Sequence, residues 1–436
     1  MQPDEAEDEP APEAPVPLTR QAGSRRQENC PWPRYDAVVA GAGLAGGTLA
    51  LRLARAGARV ALVDPGRFPR DKLCGEYLSP ECWDVLERVG LARPVERLNF
   101  HPIHRVRVTT PRGRSLEAEV IGRDGRPGIG LSRSALDDLV VRTARAEGVE
   151  VFEGTRVSAP LVRDGRVAGL AARRGADETI ELHADVTIAA DGRHSVLVAR
   201  TGRTRSRSRF RPRLFGLKRH LAASTAADDP ADLGMEPPGT VGLHLVPGGY
   251  VGACRVESGL ANLCGLLPEA ALKRHRGDLD RLADHVFHSN PVLARLWDRA
   301  RPIAGWKTVA GVRVESSSPV VPGILYAGDC QGTIDPLGGQ GMTMALLGAE
   351  MLAPFVQKAL AGSKSHRCAG AALQAEYAGA WHRRFDRRVN LCRAYHHLLV
   401  NPAVVDVASA FQKMAGRLLS LFFEQTRDPQ IHPEIR

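Results

Sequence analysis

The chain has 436 residues, 43% of them hydrophobic, enough for a large core divided between two or three domains, and it carries a net charge of +10. No stretch approaches the roughly 20 uninterrupted apolar residues of a bilayer span, and the N-terminus lacks a basic segment followed by an apolar run, so a cytoplasmic location is expected. Eight scattered cysteines and 14 histidines form no disulfide scaffold, HExxH or CxxC-plus-His pattern, which argues for a reduced compartment and no metal.

Residues 1–33 begin MQPDEAEDEPAPEAPV, an acidic, Pro/Ala-rich composition that suits a disordered tail. The following segment, YDAVVAGAGLAGGTLALRLARAGARVALVDP, switches period twice. Ala37 to Ala40 reads as a buried strand, Leu44 to Ala56 as a helix and Arg59 to Val63 as a second strand, which is a β-α-β unit on a parallel sheet. Between the first strand and the helix stands Gly41-Ala42-Gly43-Leu44-Ala45-Gly46. Gly41 suits a tight turn, Gly43 lets the backbone approach a pyrophosphate, and Gly46 lets helix and strand pack closely. The helix start, with Leu44 and Ala45, would hold the phosphates, and Asp64 would accept hydrogen bonds from ribose hydroxyls.

A helix and strand follow at 132–157, ending at Val157, which is a further candidate cofactor-binding residue. The sequences DGRVAGLAARR and ETIELHADVTIAADG predict an antiparallel meander returning to the main sheet. Residues 200–219 hold nine Arg or Lys and no acid. That run suits either a solvated strand and loop or attraction of a phosphate-bearing partner such as NADPH or a CoA or carrier-protein thioester, and its lack of interleaved aromatics argues against nucleic acid. Residues 203–305 predict a β-rich second domain followed by a helix. Residues after about 370 predict amphipathic helices that pack on the body or lie on a membrane or partner, leaving membrane association possible and the oligomeric state open.

Two further segments complete a pattern. Ala190-Asp191-Gly192-Arg193-His194-Ser195 ends a strand, and Leu325-Tyr326-Ala327-Gly328-Asp329-Cys330 ends another, followed by a Gly-rich loop, Gly341, Met342 and a long helix. With the Gly-rich turn and Leu131-Ser132-Arg133-Ser134, these segments resemble the FAD-binding superfamily that contains para-hydroxybenzoate hydroxylase, geranylgeranyl reductases and flavin-dependent halogenases. The resemblance covers about residues 35–360. It implies an α/β fold: a discontinuous Rossmann-type (GR2-like) FAD-binding domain at 34–202 and 306–365, an inserted α+β substrate domain at 203–305 to which 75–125 contributes, and a C-terminal helical region at 366–436.

It also implies FAD as cofactor, with Asp64 at the adenosine ribose, Arg133 and Asp191 in the cofactor site, Asp329 at the ribityl chain, and Gly341 with Met342 at the flavin edge. NADPH or NADH is implied as electron donor. The segment Asp71-Lys72-Leu73-Cys74-Gly75 is similar to the Lys-x-Cys-Gly pattern of geranylgeranyl reductases and would put Cys74 and Gly75 near the flavin, where a thiol could donate a proton or simply pack. Gly242-Leu243-His244-Leu245-Val246-Pro247 departs from the aromatic-rich motif expected there, arguing against halogenation and leaving His244 as a candidate acid or base against a structural role. Val198 replaces the usual Arg, with Arg200 nearby, which weakens the case for the nicotinamide. The reading is hydride transfer from reduced flavin to a small lipophilic or polyketide-like substrate. The alternatives are a monooxygenase that hydroxylates an aromatic substrate through a flavin hydroperoxide and a non-catalytic FAD-binding protein.

Overall fold

The structure is a computed structural model that describes residues 34–122, 124–175, 178–200, 214–223, 236–312, 321–362 and 369–426. The acidic tail and the arginine-rich positions 201–213 lie outside the described residues.

The strand Arg34–Ala40 sits inside a parallel array because nothing in Ala37–Ala40 prefers water. It pairs with Val60–Val63 on one side and Glu178–Ala189 on the other, and Glu150–Phe152 and Ile324–Tyr326 extend the sheet outward in parallel. One face is covered by the helices Leu44–Arg55, Arg133–Ala146 and Gly341–Ala361. The other is closed by the antiparallel strands Thr155–Arg163 and Arg166–Arg174. A sheet buried on both faces requires continuous apolar strands, which is what the sequence supplies.

A second, eight-stranded sheet carries the other domain. Its strands Leu214–Ala223, Thr240–Val246, Gly249–Arg255 and Ala261–Pro268 come from the expected region, and Arg105–Thr109 and Ser115–Glu119 join from within 75–125. Lys307–Val312, placed by sequence in the second part of the FAD domain, instead pairs antiparallel with Leu214–Ala223. Three helices, Glu269–Arg274, Leu279–Phe287 and Pro291–Arg299, cover one face over Phe215, Leu217, Val251 and Leu263. The opposite face turns toward the first domain.

The C-terminal segment forms helices Ala371–Leu399, Pro402–Ser409 and Gln412–Gln425. The last of these lies across the edge strand Ser115–Glu119, close enough that a Cβ on Gly416 would come 2.8 Å from the Glu117 carbonyl oxygen. Helix Gly341–Ala361 is long and apolar enough to cross a membrane by composition, but here it packs against Leu44–Arg55 through Leu346, Leu347 and Ala349.

Candidate active site

A cleft runs between the two domains from the Gly-rich turn to the C-terminal helices. Gly43, Leu44, Ala45, Cys74, Gly75, Arg133, Asp329, Gly341 and Met342 all line it, although they come from four distant stretches of chain. Ala190, Gly192 and Arg193 of the Asp-Gly segment reach it as well.

The three glycines of the turn have three different reasons. Gly41 has φ +97°, and a Cβ there would lie 2.4 Å from the Ala190 carbonyl oxygen. A Cβ on Gly46 would lie 1.9 Å from the Gly41 carbonyl oxygen, so this glycine sets how closely helix and strand approach. At Gly43 a Cβ would meet only the Arg133 guanidinium, at 3.5 Å, and would otherwise stand in the cleft. The helix that begins there has no side-chain cap and no acid in its first turn. Helix Gly341–Ala361 likewise starts without a side-chain cap or first-turn acid. Two helix N-termini with free N–H donors and partial positive charge thus open into one elongated cleft, an arrangement that fits a dinucleotide with a pyrophosphate at one end and an electron-rich ring at the other.

Arg133 is positioned by both ends of its own turn. Ser132 caps the helix by accepting from Ala135 N at 3.1 Å, and Glu76 Oε1 accepts from Arg133 N at 2.7 Å. Its guanidinium donates to both oxygens of the wholly buried Asp137 at 2.8 Å. Burial alone would lower the pKa of this arginine, but Asp137 and then Cys74 outweigh it and hold the charge firmly in place. Lys72 is exposed where it lines the cleft, yet the protein surrounding its ammonium, followed by the repulsion of Arg133, pulls its pKa below the ordinary lysine range. Asp329 projects from the strand end and is paired with Arg193 at 3.3 Å.

Behind Cys74 and Gly75 lies a cluster that the sequence reading missed. Glu76 is fully buried and takes a left-handed φ of +58°. One oxygen accepts from Lys218 Nζ at 2.6 Å and the other meets His220 Nε2 at 2.6 Å, while Lys218 also reaches Asp71 at 2.5 Å. Asp71, Glu76 and His220 are metal-ligand types clustered in space, but the Lys218 ammonium already supplies the positive charge between the two carboxylates. The alternation Gly216, Lys218, His220 along a strand is the signal that could have found it. Lys218 belongs to the basic run, yet it is wholly buried, whereas Arg219 pairs with Asp280 and stacks on Trp306.

Other sequence candidates lie elsewhere. His244 is not brought to the cleft. It and Val241 and Leu243 alternate on one strand, and its ring bonds Thr109 at 2.9 Å and lies 3.6 Å from Glu236, on the far face. Burial, then the charge of Arg107, pushes its pKa down to about 3, so it stays neutral. Asp64 touches the turn, accepting from Ala42 N at 2.8 Å and from Gly66 N at 2.8 Å, but Arg70 covers its remaining capacity and it does not line the cleft. Asp191 accepts from Val196 N at 3.0 Å and anchors the short helix after its segment. Burial raises its pKa. Val157 is a core residue packed beside the meander.

The opposite end of the cleft is apolar, walled by Val106, Val108, Leu399, Leu419, Phe422 and Phe423.

Comparison with known proteins agrees with this geometry. A family described as FAD binding domain matches residues 34–228. Protein FixC of Salmonella typhi is 30% identical over 351 residues, 75% of this chain and 77% of that protein. Menaquinone reductase of Mycolicibacterium smegmatis is 28% identical over 353 residues, covering 73% and 76%. Among solved structures, a geranylgeranyl bacteriochlorophyll reductase-like protein of Thermoplasma acidophilum superposes with TM-score 0.69 at 20% identity over 90% of this chain and 92% of that one. A flavin-dependent brominase gives 0.72 at 17% identity, covering 90% and 93%. Matched by the FAD-binding family over its first domain and by FixC over most of its length, the chain belongs to the FAD-dependent oxidoreductases.

Proposed function

We propose that the chain reduces an activated C=C bond or quinone ring of a small lipophilic molecule held in the apolar end of the cleft. The observation that carries this reading is that one cleft brings together two uncapped helix ends, Arg133, Cys74 and an apolar wall of Leu419, Phe422 and Phe423. FAD, when bound, supplies the hydride chemistry. Gly43 and the start of helix Leu44–Arg55 would hold its pyrophosphate, Asp329 its polyol chain, and the start of helix Gly341–Ala361 its ring. Cys74 lies beside the fixed charge of Arg133 and is placed to hand a proton from Sγ to the substrate. The aromatic wall excludes water, and a menaquinone reductase among the relatives supports a reduced lipophilic acceptor. NADPH or NADH is the proposed electron donor, with Lys72 as a cationic group at the cleft and Arg193, paired with Asp329, beside it.

The test is to purify the full chain, record the flavin absorbance, and follow NAD(P)H oxidation with menaquinone analogues and enones under nitrogen and under air. Turnover under nitrogen supports the reductase. Oxygen uptake stoichiometric with product would move the chain to the monooxygenases, and a colourless protein that refuses added FAD would remove both.

A further inference from the structure

The last two helices expose an apolar stripe. Met414, Leu418 and Leu421 recur at intervals of four and three on the last helix, Phe411 stands at its N-cap and Val404 and Val407 on the helix before it, and all six are exposed, Val407 to 66% and Phe411 and Met414 to 60%. Isolated apolar residues on a surface are ordinary, but a periodic stripe of this kind marks a contact surface. The stripe is held outward. Gly416 sits against the Glu117 carbonyl, Ser420 bonds Glu119 O, and Gln340 donates to Thr426 at 2.6 Å, so the helix cannot roll without breaking these contacts.

The same helix has a second role on its inner face. Leu419, Phe422 and Phe423 wall the cleft, which leaves one helix thickness, about 10 Å, between the interior apolar chamber and the exterior apolar stripe. Charge selects the occupant. The chain carries +10, so a second copy is repelled and an anionic surface attracted. Lys413 and Arg417 are exposed one turn apart beside the stripe against one exposed acid at the far end of the same helix, Glu424, and Asp406 is engaged by Arg112 at 3.3 Å and by Thr110 at 2.7 Å.

We propose that this stripe docks the protein on an anionic lipid surface, with the helix Gln412–Gln425 lying in the interfacial plane and the apolar end of the cleft beside the acyl region. The docking does not depend on which reaction the cleft performs.

The test is flotation of the full FAD-loaded chain with vesicles of phosphatidylcholine alone and of phosphatidylcholine with phosphatidylglycerol. Binding to the anionic vesicles is expected, weakened by salt, and a Phe411→Ser/Met414→Gln/Leu418→Gln variant should bind about tenfold less while keeping its flavin absorbance. Should that variant fail to fold, a Leu418→Trp chain should shift its emission to the blue on anionic vesicles and be quenched by lipid brominated on the acyl chain. No flotation of the parent chain, or an emission from the introduced tryptophan that does not move, overturns the proposal. So does a dimer in light scattering that the triple variant abolishes in the absence of any vesicle binding, because the occupant is then a second copy.

Discussion

Glu76 and Lys218, both fully buried, meet at 2.6 Å across the junction between the two domains. Glu76 immediately follows the Cys74-Gly75 segment, and its other bonds go to His220 and to the backbone N–H of Arg133, so one carboxylate ties the thiol segment, the arginine helix and the second sheet together. Removing one partner of a buried pair leaves an uncompensated charge. Lys218→Met should therefore cost about 3–5 kcal/mol in denaturant unfolding and loosen FAD retention. A Glu76→Gln/Lys218→Met double variant should recover part of that loss. A cost under about 1 kcal/mol for the single variant would show that the ammonium is not needed there.

The glycines of the turn separate folding from binding. Gly46→Ala forces a Cβ to 1.9 Å from a backbone oxygen and should yield little folded protein. Gly43→Ala meets nothing closer than a flexible arginine at 3.5 Å, so it should fold with a nearly unchanged Tm. Its methyl group occupies the place where phosphate approaches the backbone, and flavin retention should fall about tenfold or more, read from the ratio of visible to ultraviolet absorbance. Equal melting loss in both variants would contradict this division.

Much of the first domain was legible in the sequence because parallel strands buried on both faces and a Gly-rich turn are local patterns. Gly41, Gly43 and Gly46 each have a reason in the motif itself, whereas Arg133, Asp329 and Gly341 follow only from the resemblance of their segments to the FAD-binding superfamily. Pairings between distant strands were not legible. His244 sat in a suggestive motif, but which face of its strand meets the cleft depends on the neighbour Arg105–Thr109, more than a hundred residues away. Lys218 looked like one more charge in a basic run, and only the fold shows it between Asp71 and Glu76. Lys307–Val312 reads as an ordinary short strand, and nothing local says which sheet it joins.

Cys74 is the residue on which the proposed proton transfer depends. Cys74→Ala should leave the flavin spectrum in place and lower reductive turnover by about 100-fold, the range expected for loss of a positioned acid. Cys74→Ser should restore part of the rate, since a hydroxyl can carry a proton where a methyl cannot. Unchanged turnover in the alanine variant would reduce Cys74 to packing and leave water as the proton source.

His244 makes a prediction about acid stability. Its pKa lies near 3 in the folded chain and at 6.5 when free, so between these values the unfolded state binds the extra proton. Its contribution is fully present above pH 6.5 and is lost as the pH falls toward 3, roughly 3 kcal/mol by pH 4. Unfolding free energies measured from pH 7 to pH 4 should fall more steeply for the parent chain than for His244→Asn, with the two curves converging at the acid end. Parallel curves would mean that the buried ring is not what titrates.

Phe422 closes the apolar end of the cleft and stacks on Tyr395 with ring centroids 3.9 Å apart, at 1% exposure. Phe422→Ala removes a buried ring from a helix held on the body by few other apolar groups, which should cost about 3–5 kcal/mol if the space does not collapse. The same change lengthens the chamber in which the substrate is proposed to sit. Turnover should shift toward acceptors with longer apolar tails while the flavin spectrum stays as it was, since the bond from Gln340 to Thr426 that joins the two helix ends does not involve the Phe422 ring. A variant that loses its flavin together with its stability would show instead that the C-terminal helix supports the cofactor end of the cleft.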